Sequence, residues 1–149
     1  MKNYVLKKWF VGKEHRKFKY PDDIDEELVP MLDVFNNIPG MRTEFCCCGH
    51  NKPGWYMVFK FTSEFMYDKT FKFFKGVCNS ECDLGLDFEV VERISFVNMY
   101  GGVPESEIAI YCNPLGMLHV KERAKKYSII CKYFSQFAIH SQWGKVQEF

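Results

Sequence analysis

Apolar side chains recur at two different spacings along this chain of 149 residues. Steps of three or four residues join Ile24, Leu28, Met31 or Leu32, and Phe35, which predicts an amphipathic helix with one face on the core. The acidic run 22–27 favours a helix start there, because carboxylates in a first turn complement the helix dipole. Pro30 fits such a helix only if the helix starts late or kinks.

Alternating or continuous apolar runs predict strands, and further runs at helical spacing predict two more helices. Strands are predicted over an N-terminal arm at 2–11 and then over Met41–Cys47, Trp55–Phe61, Leu86–Val97 and Glu107–Cys112; helices are predicted over Ser63–Gly76 and Leu115–Ala138. This order predicts an α+β fold. We expect a two-layer sandwich, with a mainly antiparallel sheet of four to five strands and three helices on one face.

The length fits a single domain, 1–149. The uneven distribution of charge divides this domain into a basic arm (1–20) and an α+β core (21–149). The arm carries seven Lys and Arg against one Glu, whereas the whole chain has a net charge of only +1. This near-neutral balance argues against a general nucleic-acid binder. The arm's lysines either protect a sheet edge or attract phosphates. Seven cysteines, and no apolar run long enough to cross a bilayer, predict a cytoplasmic protein without a membrane segment.

Residues 43–50 concentrate more reactive side chains than any other stretch, because three adjacent cysteines and a histidine surround a glycine. On an extended strand Cys46, Cys48 and His50 share one face, so these three are the candidate ligands of a zinc ion. A bend after the strand would be needed to bring them together. The fourth ligand would come from Cys78, Cys82, Cys112, His119 or His140.

The same segment supports two other chemical interpretations. In a catalytic one, Cys47 or Cys48 is a nucleophile and His50 its base. In a binding one, a glycine-containing turn offers backbone amides to an anion, with cations and aromatic rings around it. The candidate ligand-binding residues are Arg42, Thr43, Cys47, Cys48, Gly49, His50, Lys52, Trp55 and Tyr56. In the simplest alternative, the cysteines are small core hydrophobes.

Residues 24–61 resemble small phage and prophage proteins of unassigned function. The shared pattern is an acidic helix, the run Asn36–Thr43, a Cys-Cys-Gly-His motif at 47–50 and an aromatic strand from Trp55. This resemblance implies a phage-encoded accessory protein, located in the host cytoplasm.

The same residues are more distantly similar to the third-step methyltransferase family of tRNA wybutosine synthesis. Cys47 and Gly49 match that family's Ser/Cys-rich turn, whereas Cys48 and His50 stand where the family has Ser and Arg. The resemblance implies a similar scaffold with a site at the turn.

Three functions are therefore expected. The first is a binding protein for an anionic small molecule or nucleotide, which would sequester a host defence signal. The second is a transferase acting on RNA or a nucleotide. The third is a zinc-stabilised interaction module. Homo-oligomerisation is compatible with all three.

Overall fold

The computed structural model describes residues 18–81, 84–95 and 105–147, and this part of the chain forms an α+β fold. A short 3-10 turn spans Glu26–Leu28. The strands are β1 (Met41–Cys47), β2 (Tyr56–Phe61), β3 (Glu89–Ser95) and β4 (Glu105–Tyr111). The helices are α1 (Val29–Asn36), α2 (Glu64–Lys72), α3 (Cys78–Glu81), α4 (Asn113–Met117) and α5 (Val120–Gln147), and a wider π-helical turn (Phe73–Val77) joins α2 to α3.

The four strands form one antiparallel sheet in the order β1-β2-β4-β3, which confirms the predicted fold class. A register shift between Thr43 and Phe45 interrupts the pairing of β1 with β2. Beyond this shift Phe45 pairs with Val58, and Cys47 pairs with Tyr56.

One face of the sheet carries the hydrophobic core, in which phenylalanine rings dominate. Phe59 of β2 lies 5.0 Å from Phe35 of α1 and 5.8 Å from Phe74, measured between ring centroids. Phe134 of α5 contacts Phe35 and Phe74, with ring centroids 5.2 Å and 5.8 Å apart. These rings join α1, the π-helical turn and α5 to the sheet.

The residues that alternate with the core-facing ones along each strand lie on the second face of the sheet. Val58 and Ala109 pair across β2 and β4 on this face, and both are buried without belonging to the core cluster. Phe45, Tyr56 and Tyr111 share the face with them.

Two predicted helix starts are corrected. The acidic run does not open α1, which begins at Val29 and therefore places Pro30 in its first turn, where the missing N–H costs nothing. The last helix is two helices, because Leu118 has an extended backbone between α4 and α5. Nδ1 of His119 then accepts a hydrogen bond from the Lys121 amide, as a capping residue does.

Several predictions fall outside the described residues: the arm up to residue 17, Cys82, and the side chain of His140. Among the helices that the structure describes, none has both the length and the apolar character of a bilayer span.

Candidate metal site

The chain reverses immediately after β1, through a tight turn at Gly49–Lys52. The amide of Lys52 donates to the carbonyl of Gly49 over 2.9 Å, and the two central residues, His50 and Asn51, have φ angles of +50° and +66°. Positive φ at both central positions is the signature of a type I′ turn. Asn and His are among the residues that tolerate this region best, so the local sequence suits the turn.

Gly49 is required for a second reason, which is close backbone packing. Its φ is +80°, and a Cβ built on it would lie 2.6 Å from the carbonyl oxygen of Lys52 and 2.7 Å from Cα of Gly116. A Cβ on Gly116 would likewise meet the oxygen of Lys52 at 2.5 Å. The turn and α4 therefore touch backbone to backbone, through two glycines.

Asp25, which precedes the 3-10 turn, completes the arrangement from a distant part of the sequence. Its Oδ2 accepts a hydrogen bond of 2.9 Å from the Cys48 amide, and its Oδ1 lies 3.3 Å from Nε2 of His50. One ligand atom each from Asp25, Cys47 and His50 lies within 4.8 Å of the others. This group can hold a metal ion.

The three donors converge because the turn breaks the strand's alternation. Cys46, Cys48 and His50, the set expected from an extended chain, are not the group that converges within the described residues. The strand ends at Cys47, and the positive φ angles at Gly49 and His50 return the imidazole toward the Cys47 side. Cys48 is 2% exposed and packs in the core.

None of the described candidates for a fourth ligand joins the group. Cys78 and Cys112 are buried in the core, and the Nδ1 atom of His119 is hydrogen-bonded to its own helix. Within the described residues the group therefore contains one carboxylate, one thiol and one imidazole.

Neighbouring atoms orient two of the three donors. The Gly49 amide donates to Sγ of Cys47 over 3.5 Å, and such a donor stabilises negative charge on sulfur. Sγ of Cys48 lies 3.7 Å from Nδ1 of His50. This contact holds the Nδ1 edge of the ring and directs Nε2 toward Asp25, as the outer contacts of metal-binding histidines commonly do.

Arg123 of α5 ties together the two segments that carry the donors. Its guanidinium makes two hydrogen bonds with the Glu27 carboxylate, of 2.7 Å and 2.8 Å, and a third of 2.7 Å to Oδ1 of Asn51. It also donates to the carbonyl of Leu118. Glu27 is two residues from Asp25, and Asn51 follows His50, so one buried cation fixes both segments.

Glu27 also accepts from the hydroxyl of Tyr127 over 2.9 Å, and that hydroxyl accepts from the Trp55 indole over 3.0 Å. Burial alone would raise the pKa of Glu27, but the hydrogen bonds from Arg123 and Tyr127 outweigh it and lower that pKa. Burial and the bond to Glu27 raise the pKa of Tyr127. Glu27 is therefore held as a carboxylate beside the site.

In the catalytic interpretation Asp25 would orient the base, a role that the sequence did not suggest, because His50 contacts Cys48 through one ring nitrogen and Asp25 through the other. The pKa of the thiol argues against this interpretation. Burial is the main reason that the pKa of Cys48 rises to about 12, and the pKa of Cys46 also rises to about 12, by burial and then by the charges of Asp25 and Cys47. A nucleophilic cysteine needs the opposite shift.

The predicted ligand-binding residues separate into two groups. Cys47 to Lys52 lie at the turn, whereas Arg42 and Thr43 lie near the opposite end of β1, about 17 Å away for five residues of strand. Arg42 contacts Glu44 at 3.8 Å, and Thr43 is hydrogen-bonded to Asn36.

The two predicted stacking residues also differ in position. Trp55 is 1% exposed and belongs to the core. Tyr56 pairs with Cys47 and is half-buried on the second face. Burial raises the pKa of Tyr56, and the neighbouring charges of Cys47, Cys46 and Asp25 raise it further.

Comparisons with protein-family models, curated proteins and solved structures found no match to this chain.

Proposed function

We propose that this protein binds a zinc ion through Asp25, Cys47 and His50, and that the remaining coordination position receives an anionic small molecule. The observation that supports the proposal is the convergence of a carboxylate, a thiol and an imidazole within 4.8 Å. Tetrahedral zinc places its donors about 3.5 Å apart, given Zn–ligand bonds of about 2.0–2.3 Å. Small rotations of exposed His50 would close the group to that size.

The donor set favours zinc by its chemistry. Nitrogen, sulfur and carboxylate oxygen are its usual protein ligands, and sites that react with small molecules hold it by three protein ligands with one position open. The carboxylate and a Cys47 thiolate would offset the two charges of the ion. Lys52 is exposed at the end of the same turn and adds positive charge.

An anionic ligand is still expected, but a different positive group would attract it. Arg42, the cation expected beside the turn, contacts Glu44 near the opposite end of β1. A bound metal ion would take its place as the group that attracts the anion. In a phage-encoded protein, as the sequence resemblance implies, such a site would serve to sequester a host signal.

A second candidate is the zinc-stabilised interaction module, and one observation favours it. Asp25 lies before α1, whereas Cys47 ends β1 and His50 follows it, so an ion would cross-link two segments that 21 residues separate. The two candidates differ at the fourth position, which is filled by protein in a structural site and by solvent or ligand in an open one.

A zinc titration of single-site variants tests the proposal. Protein purified without chelator is titrated against a chromophoric zinc chelator, and native mass spectrometry gives the stoichiometry. We expect one zinc per chain in the wild type. His50→Ala should weaken binding by at least tenfold, a change of about 1.4 kcal/mol.

Two matched controls locate the site. His119→Ala removes another exposed histidine, and Cys46→Ser removes the thiol next to Cys47 in sequence; both should leave the zinc Kd unchanged. Cys47→Ser should behave like His50→Ala. A wild type that takes up no zinc at micromolar concentration contradicts the proposal, as does equal loss in His119→Ala and His50→Ala.

A further inference from the structure

An aromatic surface lies beside the three donors on the second face of the sheet. Tyr56 is directly opposite Cys47 in the pairing of β1 with β2, which places their Cβ atoms about 5 Å apart. Tyr111 of β4 is opposite Tyr56, with ring centroids 6.3 Å apart. Phe45 is two residues before Cys47 on the same face, about 6.7 Å away.

Phe45 is the least expected member of this surface, because its side chain is apolar and it is 60% exposed. It lies on β1, an edge strand of the described sheet, where charged residues usually protect against unwanted pairing. The register shift between Thr43 and Phe45 places Phe45, together with Cys47, on the second face. A strand without that shift would present Glu44 and Cys46 there instead.

We propose that the ligand of the site is a planar aromatic molecule with an acidic group, of which a nucleoside monophosphate is the model. The acidic group would occupy the fourth coordination position of the metal, and the ring would stack on Phe45 beside Tyr56. This inference rests on the proposed function, because the metal supplies the attraction for the acid.

The geometry favours one class of occupant. The acidic group must lie near Cys47 and the ring near Phe45, two residues earlier on β1. The ligand must therefore hold its acidic group and its ring about 7 Å apart. A simple anion such as phosphate has nothing to place on Phe45. A neutral aromatic molecule would lack the group that the metal attracts. Stacking of a base on one aromatic side chain strengthens binding by about 5- to 150-fold.

The test compares three probes on the zinc-loaded full-length protein by isothermal titration calorimetry: adenosine monophosphate, inorganic phosphate and adenosine. We expect the monophosphate to bind at least tenfold more tightly than either of the others. Phe45→Ala should reduce the ratio of the phosphate Kd to the monophosphate Kd at least fivefold. It should leave the zinc and phosphate Kd values themselves unchanged. Val120→Ala, which truncates an exposed apolar residue at the start of α5, is the matched control and should change nothing.

The arms separate the two proposals. If zinc binds as expected but the monophosphate and phosphate bind equally well, or Phe45→Ala has no effect, the proposal of an aromatic ligand is wrong and the metal site stands. If the monophosphate binds equally well to protein stripped of zinc, the proposal that the metal binds the acidic group is wrong. If the wild type binds no zinc, the zinc titration itself shows that the proposed function has failed.

Discussion

Replacing Arg123 by methionine should destabilise the protein more than any surface substitution. The Arg123 side chain is 3% exposed and its partner Glu27 is 20% exposed, so the variant would leave a largely buried carboxylate without its cation. Breaking a buried pair in this way costs about 3–5 kcal/mol. Because Glu27 keeps the hydrogen bond from Tyr127 and some contact with water, we expect about 3 kcal/mol.

Urea unfolding at pH 7 measures this loss. With a slope of about 2 kcal/mol per molar urea, the midpoint should fall by about 1.5 M. Lys72→Met is the matched control, because its pair with Asp68 is exposed on both sides, and it should cost less than about 0.5 kcal/mol. The double variant Glu27→Gln with Arg123→Met should lose less than the sum of the single changes, since no buried charge remains.

The pH dependence follows from the lowered pKa of Glu27. A carboxyl group with a depressed folded-state pKa stabilises the protein above its unfolded pKa, and this stabilisation is lost as the pH falls through the folded pKa. The difference between the wild type and Arg123→Met should therefore shrink in acid. A loss below 1 kcal/mol at pH 7, or a difference that grows in acid, refutes the importance of this pair.

Three further predictions concern the turn, the core and the thiols. Gly49→Ala should cost at least about 2 kcal/mol in urea unfolding, through the positive φ and the backbone contacts, and a variant as stable as the wild type would contradict that packing. Thr70→Val should stabilise by about 1 kcal/mol, since the buried Thr70 hydroxyl has no hydrogen-bond partner among the described residues; the same change at exposed Thr62 should be neutral, and destabilisation at residue 70 would contradict this reasoning. Iodoacetamide should modify Cys46 and Cys48 very slowly at pH 8, because a pKa of about 12 leaves only about one thiol in ten thousand ionised; mass mapping that finds them as reactive as a free peptide thiol would overturn the pKa assignment.

The fold was predictable because its apolar pattern is local. Apolar runs over Met41–Cys47 and Trp55–Phe61, with helical spacing around Phe35 and Phe134, were sufficient to predict an α+β sheet with helices on one face. The helix boundaries were less predictable because they depend on single residues. Pro30 sets the start of α1 and Leu118 divides the last helix, and the apolar spacing registers neither.

The position of the candidate metal site was predictable, but the three residues that form it were not. Residues 47–50 contribute two of the three donors. The third, Asp25, was interpreted as part of a helix start, since a carboxylate before a helix is common and its link to the Cys48 amide spans 23 residues. Arg123 lay in a run of charges typical of a solvated helix face. Only its position on α5, facing Glu27, distinguishes it from Lys121, Lys125 and Lys126.

The contact between Gly49 and Gly116 has a consequence for how this protein matures. All three donors have been synthesised by residue 50, yet the residues that shape their turn, Gly116 and Arg123, come more than 60 positions later. A nascent chain would thus carry the three side chains long before it had the conformation that brings them together. Truncation after Cys112 should accordingly yield a polypeptide that retains all three side chains and does not bind the proposed zinc ion.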